Sequence, residues 1–257
     1  MPTRLERAHA NTRRRISNES QRMIRRAWVA SGSEGEFVDE AIAIARSARS
    51  AVVAEIDAFL ASYLAMNGIP TDVRGLDPER YVRPVEPDEQ WRRPHKHLRM
   101  KLAEEMPLPQ ALAFGGHMAE SILATDLQLA NRDASADWIG TEDTATGYRR
   151  TLGGDPCGLC IAAADQLYYR DDLMGIHVNC HCGVVPVSLE RRYGLTDGQY
   201  QQVLDQTGGD TSREALSRVR LGQPQADAIP FSTAQHGELG PYLFQQGHSP
   251  PLLDAAA

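Results

Sequence analysis

Apolar residues recur in steps of three and four through Val38, Ala41, Ala45, Ala48, Val52, Ile56, Phe59, Tyr63 and Met66, which predicts a long amphipathic helix. At 1.5 Å per residue the stripe keeps one face against a neighbouring helix for about 45 Å, either within the chain or in a second subunit. Ser33 and Glu36 form a capping box that opens this helix, and Gly68 and Pro70 stop it. Residues 3–30 form a weaker, basic helix with Ile16, Met23, Ile24 and Trp28 as its apolar members. Between Asn67 and Pro94 five prolines, Pro70, Pro78, Pro84, Pro87 and Pro94, predict a linker or wrapping segment rather than a helix. Helical patterning returns at 96–105, and again after Pro109, where Ala111, Leu112, Phe114, Met118, Ile122, Leu123 and Leu127 make a broad apolar face up to about Asn131.

Beyond that point the period changes. Gly147 to Leu152, Gln166 to Arg170 and Gly183 to Val187 are short β-prone runs, consistent with a small antiparallel unit. Thr196 to Gln206 and Thr211 to Val219 predict short helices with threonine N-caps. Residues 222–257 carry Pro224, Pro230, Pro241, Pro250 and Pro251 and predict an extended tail that orders against something else. The fold class is α+β, with long N-terminal helices, a small antiparallel β module and an extended C-terminal tail. Its divisions are 1–66 (basic arm and long helices), 67–94 (linker), 95–189 (helical scaffold and β module) and 190–257 (short helices and tail).

Composition adds few constraints: 257 residues, 42% hydrophobic and 24% charged, suffice for one or two ordinary domains. No apolar run is long enough for a membrane span, and the arginine-rich start lacks a signal-peptide core, so synthesis in the cytoplasm without export is expected. Charge is more informative. Residues 1–30 hold eight arginines against Glu6 and Glu19, a local +6 in a chain of net −7, so the remainder carries −13. Arg13, Arg14, Arg15, Arg22, Arg25 and Arg26 are the candidate contacts to nucleic-acid phosphates or an acidic protein surface; a solvated helix face is the plainer explanation.

All four cysteines lie between Cys157 and Cys182. The pattern is Cys157-Gly-Leu-Cys160, sixteen residues, then His177-Val-Asn-Cys180-His181-Cys182. Two short turns, each offering thiolate or imidazole ligands, match the tetrahedral demand of Zn2+. Cys157, Cys160, His177 and Cys180 are the preferred ligands, with Cys182 next. His181 ranks last, because adjacent residues of a strand point to opposite faces and His181 and Cys182 cannot both face the metal. A closed set of four would make the zinc structural, enough to stabilise a module too small to fold alone.

Two catalytic uses of these residues fit less well. A thioredoxin-like CGxC needs a βαβ setting that the upstream sequence lacks. A zinc-deaminase signature needs His-x-Glu upstream, and His117-Met-Ala-Glu120 is one residue too long. His95 and His97, flanked by Arg92, Arg93, Lys96 and Arg99, are expected on an exposed basic turn. With no GxSxG, Walker or HExxH pattern, no enzyme activity and no small-molecule substrate are expected.

The run from Gly147 through Cys157-Gly-Leu-Cys160, then Tyr168-Tyr-Arg, then His177-Val-Asn-Cys180-His-Cys182-Gly-Val-Val-Pro186-Val, resembles the signature of the Mu F-like minor head proteins of tailed bacteriophages. Gln235-His-Gly-Glu-Leu-Gly-Pro-Tyr-Leu is similar to a C-terminal extension in members from phages of actinobacteria. The likeness is good over Asp133 to Val187 and covers the helical half in character only. It implies a minor capsid protein of head morphogenesis, located in the virion, with the portal protein and a major capsid or scaffold protein as partners and packaged DNA as a further candidate. By the same likeness Cys157, Cys160, His177, Cys180 and Cys182 fall on motif positions, whereas His181 stands where members often carry Arg. Val178 replaces a frequent Pro. The competing expectation is a zinc-dependent DNA-binding regulator that uses the arginine-rich N-terminal segment.

Overall fold

The computed structural model describes residues 3–142, 145, 147–151, 167–169, 182–187, 231–236 and 238–245. Four helices, α1 (Arg4–Ala30), α2 (Glu34–Met66), α3 (Pro87–Ala103) and α4 (Leu108–Gly140), form the scaffold. A three-stranded antiparallel sheet is built from β1 (Gly147–Thr151), β2 (Leu167–Tyr169) and β3 (Gly183–Val187), in the order β2-β1-β3. Two further strands, β4 (Phe231–His236) and β5 (Gly240–Gln245), make a hairpin. The α+β expectation therefore stands, and the three β-prone runs of the sequence are the three strands of the sheet.

The helix boundaries follow from capping chemistry. Ser33 Oγ accepts the Glu36 amide at 3.3 Å, while the Glu36 carboxylate reaches back to the Gly32 amide at 2.8 Å. At the other end of α2, Gly68 takes φ 78°, its amide donates to the Ala65 carbonyl, and the Ile69 amide donates to the Leu64 carbonyl. That pair of bonds is a Schellman ending, which a left-handed glycine makes at little cost.

The α2 stripe packs inside its own chain. Residues Val38 through Phe59 of the stripe are buried against α1 and α4, whereas Met66 at its end is 67% exposed. The core runs from Ile24 and Ala27 of α1 through Phe37, Val53, Ile56 and Leu60 of α2 to Leu123, Ala130 and Trp138 of α4, and takes in Val185 of β3. Trp28 lies on α4 at the Gly115-Gly116 pair, and its indole N–H donates to the Leu112 carbonyl at 2.9 Å.

The proline-rich segment differs from expectation in its last third. Helix α3 starts at Pro87, where a missing N–H costs nothing, and runs through Pro94 in its interior. Pro94 is buried and Trp91 beside it is only 2% exposed, so packing holds a helix that local propensity disfavours. His95 and His97 consequently sit on α3 rather than on a basic turn; the His95 ring lies 4.6 Å from that of Trp28 and 5.4 Å from that of Phe37.

Residues 67–86 are a strap tied across the helices. The Asp57 carboxylate of α2 accepts the amides of Arg74 (2.8 Å) and Gly75 (2.7 Å), with Leu76 at 3.4 Å, and the Trp138 indole N–H of α4 (3.0 Å). Arg74 lies 4.0 Å over the Trp138 ring and donates to the Trp138 carbonyl and to Glu142, both at 2.8 Å. Between α2, α3 and the strap is a cavity of about 640 Å³; on its walls Arg83 pairs with Asp126 and Arg46 and Arg49 with Glu79, while Glu86 and Glu89 stand exposed.

The extended tail expected after Gly222 is replaced over 231–245 by the β4–β5 hairpin. Its turn is docked: Glu238 takes two hydrogen bonds from Arg93 of α3, at 2.5 and 2.9 Å, and the carbonyl of the buried Leu239 accepts from Arg132 of α4. Gly240, at φ 65°, passes the Arg132 guanidinium so closely that a Cβ would stand 3.2 Å from it. The short helices expected at 196–206 and 211–219 lie outside the described residues.

Candidate metal centre and its anchorage

The inner face of α1 is polar where an apolar stripe would be usual. Glu6, His9, Arg13, Ser17 and Ser20 are buried in steps of three and four, leading into Ile24 and Ala27. Glu6 closes a capping box with Thr3, accepting the Thr3 amide at 3.0 Å while Thr3 Oγ1 accepts the Glu6 amide at 3.1 Å. Its other carboxylate oxygen accepts from the Arg149 guanidinium of β1, so the start of α1 is fastened to the sheet.

His9 stacks on Phe59 of α2 with ring centroids 3.7 Å apart and planes within 6°, and its Nδ1 stands 2.5 Å from the Glu55 carboxylate. Burial pushes the His9 pKa below its ordinary value; Glu55 pulls it up and Arg13 pushes it down. Burial thus favours the neutral ring, with Nδ1 set against the Glu55 carboxylate.

Arg13 reaches the sheet. Its Nη2 is 3.2 Å from Gln128 Oε1 and 3.3 Å from the carbonyl oxygen of Cys182. Gln128 Nε2 at 3.3 Å and Asn131 Nδ2 at 3.4 Å converge on the same carbonyl. Each bond is long, but three donors from two helices fix the residue at which the Cys/His motif meets β3. Gly183 follows because nothing larger fits: a Cβ there would lie 2.7 Å from Arg13 Nη1 and 2.9 Å from Thr151 Oγ1.

Sheet register brings together the two chain positions that flank the motif. Thr151, the last residue of β1, pairs with Gly183, the first residue of β3. Cys157 lies six residues beyond Thr151 and Cys182 lies one before Gly183, so both cysteine-bearing segments are tethered at one end of one sheet. Six extended residues span at most about 21 Å, so the connection from Thr151 is short enough to permit Cys157 to approach Cys182.

Of the predicted ligands, the structure describes Cys182, which is 2% exposed. Cys157, Cys160, His177 and Cys180, together with His181, lie outside the described residues. Among the described residues no three His, Cys, Asp or Glu side chains stand together as a metal site. The donor chemistry of the two tethered segments, thiolates and imidazole, fits zinc.

The six predicted arginine contacts divide. Arg13 is buried and faces inward, which removes it from any outer contact surface. Arg25 is held by a bidentate pair with Glu120 of α4, at 2.6 and 2.7 Å. Arg14 donates to Asn11 at 3.2 Å, while Arg15, Arg22 and Arg26 are exposed. Segment 1–30 is therefore not a projecting arm over its described length; α1 packs along α2 and α4. Glu120, the acid considered for deaminase chemistry, is engaged by Arg25, with His117 Nδ1 3.5 Å away.

Comparison with family models, with curated proteins and with solved structures gave no match. Sequence reasoning missed Glu6, Gln128, Asn131 and Arg149 as the anchors of the sheet end that the motif adjoins. The signal for the α1 residues was present: positions 6, 9, 13, 17, 20, 24 and 27 keep helical spacing without a break, the first five in polar rather than apolar residues.

Proposed function

We propose that this chain is a structural minor capsid protein of head morphogenesis in a tailed phage, associated with the portal or the inner capsid surface, with zinc held by the segment Cys157 to Cys182. The likeness to Mu F-like minor head proteins motivates the assignment. The observation that carries the zinc reading is the Thr151–Gly183 pairing, which tethers Cys157 and Cys160 on one side and Cys180 and Cys182 on the other to the same sheet end. His177 would complete a set with Cys157, Cys160 and Cys180, Cys182 being the alternate.

In this reading the helices and strap form a rigid frame, and zinc would supply the cohesion of a small β module that binding energy rather than a large core must hold. Residues Glu6, Arg13, Gln128 and Asn131 couple that module to the frame. No described helix is long and apolar enough to cross a membrane.

Two measurements test the proposal. Metal analysis of the purified chain is expected to give one zinc per chain, lost in Cys157→Ser; full zinc in that variant sinks the ligand set. Cross-linking of purified virions is expected to join the chain to the portal or capsid subunits. Its absence from virions, or cross-links confined to the tail tip, sinks the capsid assignment.

A further inference from the structure

The outer face of α1 differs in kind from its inner face. Advancing 100° per residue, Arg4, Arg15 and Arg22 fall within about 20° of one line along the helix, and Arg26 within about 40°. Arg7, Arg14 and Arg25 form a second line beside the first, with Asn11 and Asn18 between the two. Seven arginines thus occupy roughly a third of the helix circumference over about 33 Å of length. All seven are exposed, and Glu19 is the one acidic residue exposed on this helix. Among the described residues Arg4, Arg15, Arg22 and Arg26 have neither an ion pair nor a hydrogen-bonding side-chain partner, unlike the other arginines of the ridge, where Arg14 bonds Asn11 and Arg25 bonds Glu120.

We infer that this ridge is a sequence-independent binding surface for duplex nucleic acid, with Arg4, Arg15, Arg22 and Arg26 as the phosphate contacts. Three observations select that partner. The ridge has arginine and asparagine as its polar groups and no lysine, and arginine offers the planar fork that fits phosphate. Val29, at the end of the helix, is the large apolar residue of the ridge, so the surface lacks the apolar centre around which protein interfaces are built. It also has no aromatic residue on which unpaired bases would stack, which favours a duplex over a single strand. The rest of the chain carries −13, so the charge that favours a polyanion is concentrated in the segment that bears this face. The inference stands on the geometry of α1 and not on the capsid assignment or the zinc, and its failure would leave both untouched.

The test is fluorescence anisotropy of the full chain with a labelled 30-base-pair duplex of arbitrary sequence. Four phosphate contacts predict a slope of log affinity against log salt of about −3.6, which is about a hundredfold weakening between 50 and 200 mM NaCl. The variant Arg4→Gln/Arg15→Gln/Arg22→Gln/Arg26→Gln, checked for unchanged helicity, is expected to bind more than about tenfold more weakly at 50 mM, with a flatter slope. Arg46→Gln/Arg92→Gln, which removes two exposed arginines from other helices, is expected to bind like the wild type. Equal binding by the fourfold variant, or no binding by the wild type at 50 mM, overturns the inference. So does tighter binding of single-stranded DNA of the same length, or of polyglutamate, the latter marking the ridge as a surface for an acidic protein.

Discussion

Arg13 of the first helix donates a hydrogen bond at 3.3 Å to the main-chain carbonyl of Cys182, 169 residues away, and shares that carbonyl with Gln128 and Asn131. A basic residue in a strongly basic segment thereby serves as an internal anchor. Replacing it with Met leaves Gln128 Oε1 without its donor and the carbonyl with two long bonds. Loss of a charged, buried hydrogen-bonding group of this kind costs about 2–3 kcal/mol. Arg15→Met, on the outer face, is expected to stay within about 0.5 kcal/mol of the wild type. Urea unfolding of both variants checks the contrast; equal midpoints would remove the anchoring role.

Asp57 presents a second anchor. Burial by itself raises its carboxyl pKa, but the amides of Arg74, Gly75 and Leu76 and the Trp138 indole together outweigh burial and hold it below the ordinary carboxylate value. Asp57→Ala leaves these donors without an acceptor and is expected to cost about 3–5 kcal/mol, Asp57→Asn less because one oxygen remains. A lowered folded-state pKa means that the stabilisation is complete above the unfolded value near 3.8 and disappears as pH falls through the lower folded value. Acid unfolding below pH 4 should therefore be shallower in Asp57→Asn than in the wild type.

Gly115 and Gly116 offer adjacent positions with different expectations. A Cβ on Gly115 would stand 2.4 Å from Cζ2 of Trp28, part of a rigid ring, whereas on Gly116 the nearest approach is 3.1 Å. Alanine gains about 1 kcal/mol of helix propensity at either site. Overpacking costs about 1–3 kcal/mol or more and exceeds that gain only at Gly115. Gly115→Ala should lower the melting temperature and Gly116→Ala should leave it nearly unchanged. In Gly115→Ala/Trp28→Leu the two costs should not add, since the ring that clashes has gone.

What the sequence made legible was local chemistry. Ser33, Glu36 and Gly68 mark the ends of α2 because caps depend on a few neighbouring residues, and the strands over 147–151 and 183–187 follow from β-branched and aromatic residues bounded by glycine. What escaped depended on distant partners. Pro87 to Pro94 is helical because Trp91 and Pro94 are buried against other elements, which the proline count alone conceals. Arg13 and Arg15 are identical residues two positions apart, and 200° of rotation sends one to Cys182 and the other to solvent. The hairpin at 231–245 is fastened by Arg93 and Arg132, more than a hundred residues earlier.

His9 makes stability depend on pH near neutrality. Burial lowers its folded-state pKa from 6.5, so below that value the unfolded chain binds a proton that the folded chain refuses. The stabilisation is complete above the unfolded value and is lost as pH falls from 6.5 toward the lower folded value. The groups facing the ring are Glu55 and Phe59 of α2, Arg13 and Glu6 of α1, and Gly183 of β3, and Arg13 opposes protonation directly. His95 is lowered by burial too and contributes with the same sign, so the test is a difference between variants. His9→Phe keeps a ring stacked on Phe59 and removes the proton. The stability of the wild type is expected to fall more steeply than that of His9→Phe as pH is taken from 7.0 to 5.5, by up to about 1.4 kcal/mol per pH unit. Parallel curves for the two proteins, or an imidazole titration of His9 above 6.5 by NMR, would show that Glu55 rather than burial controls the ring.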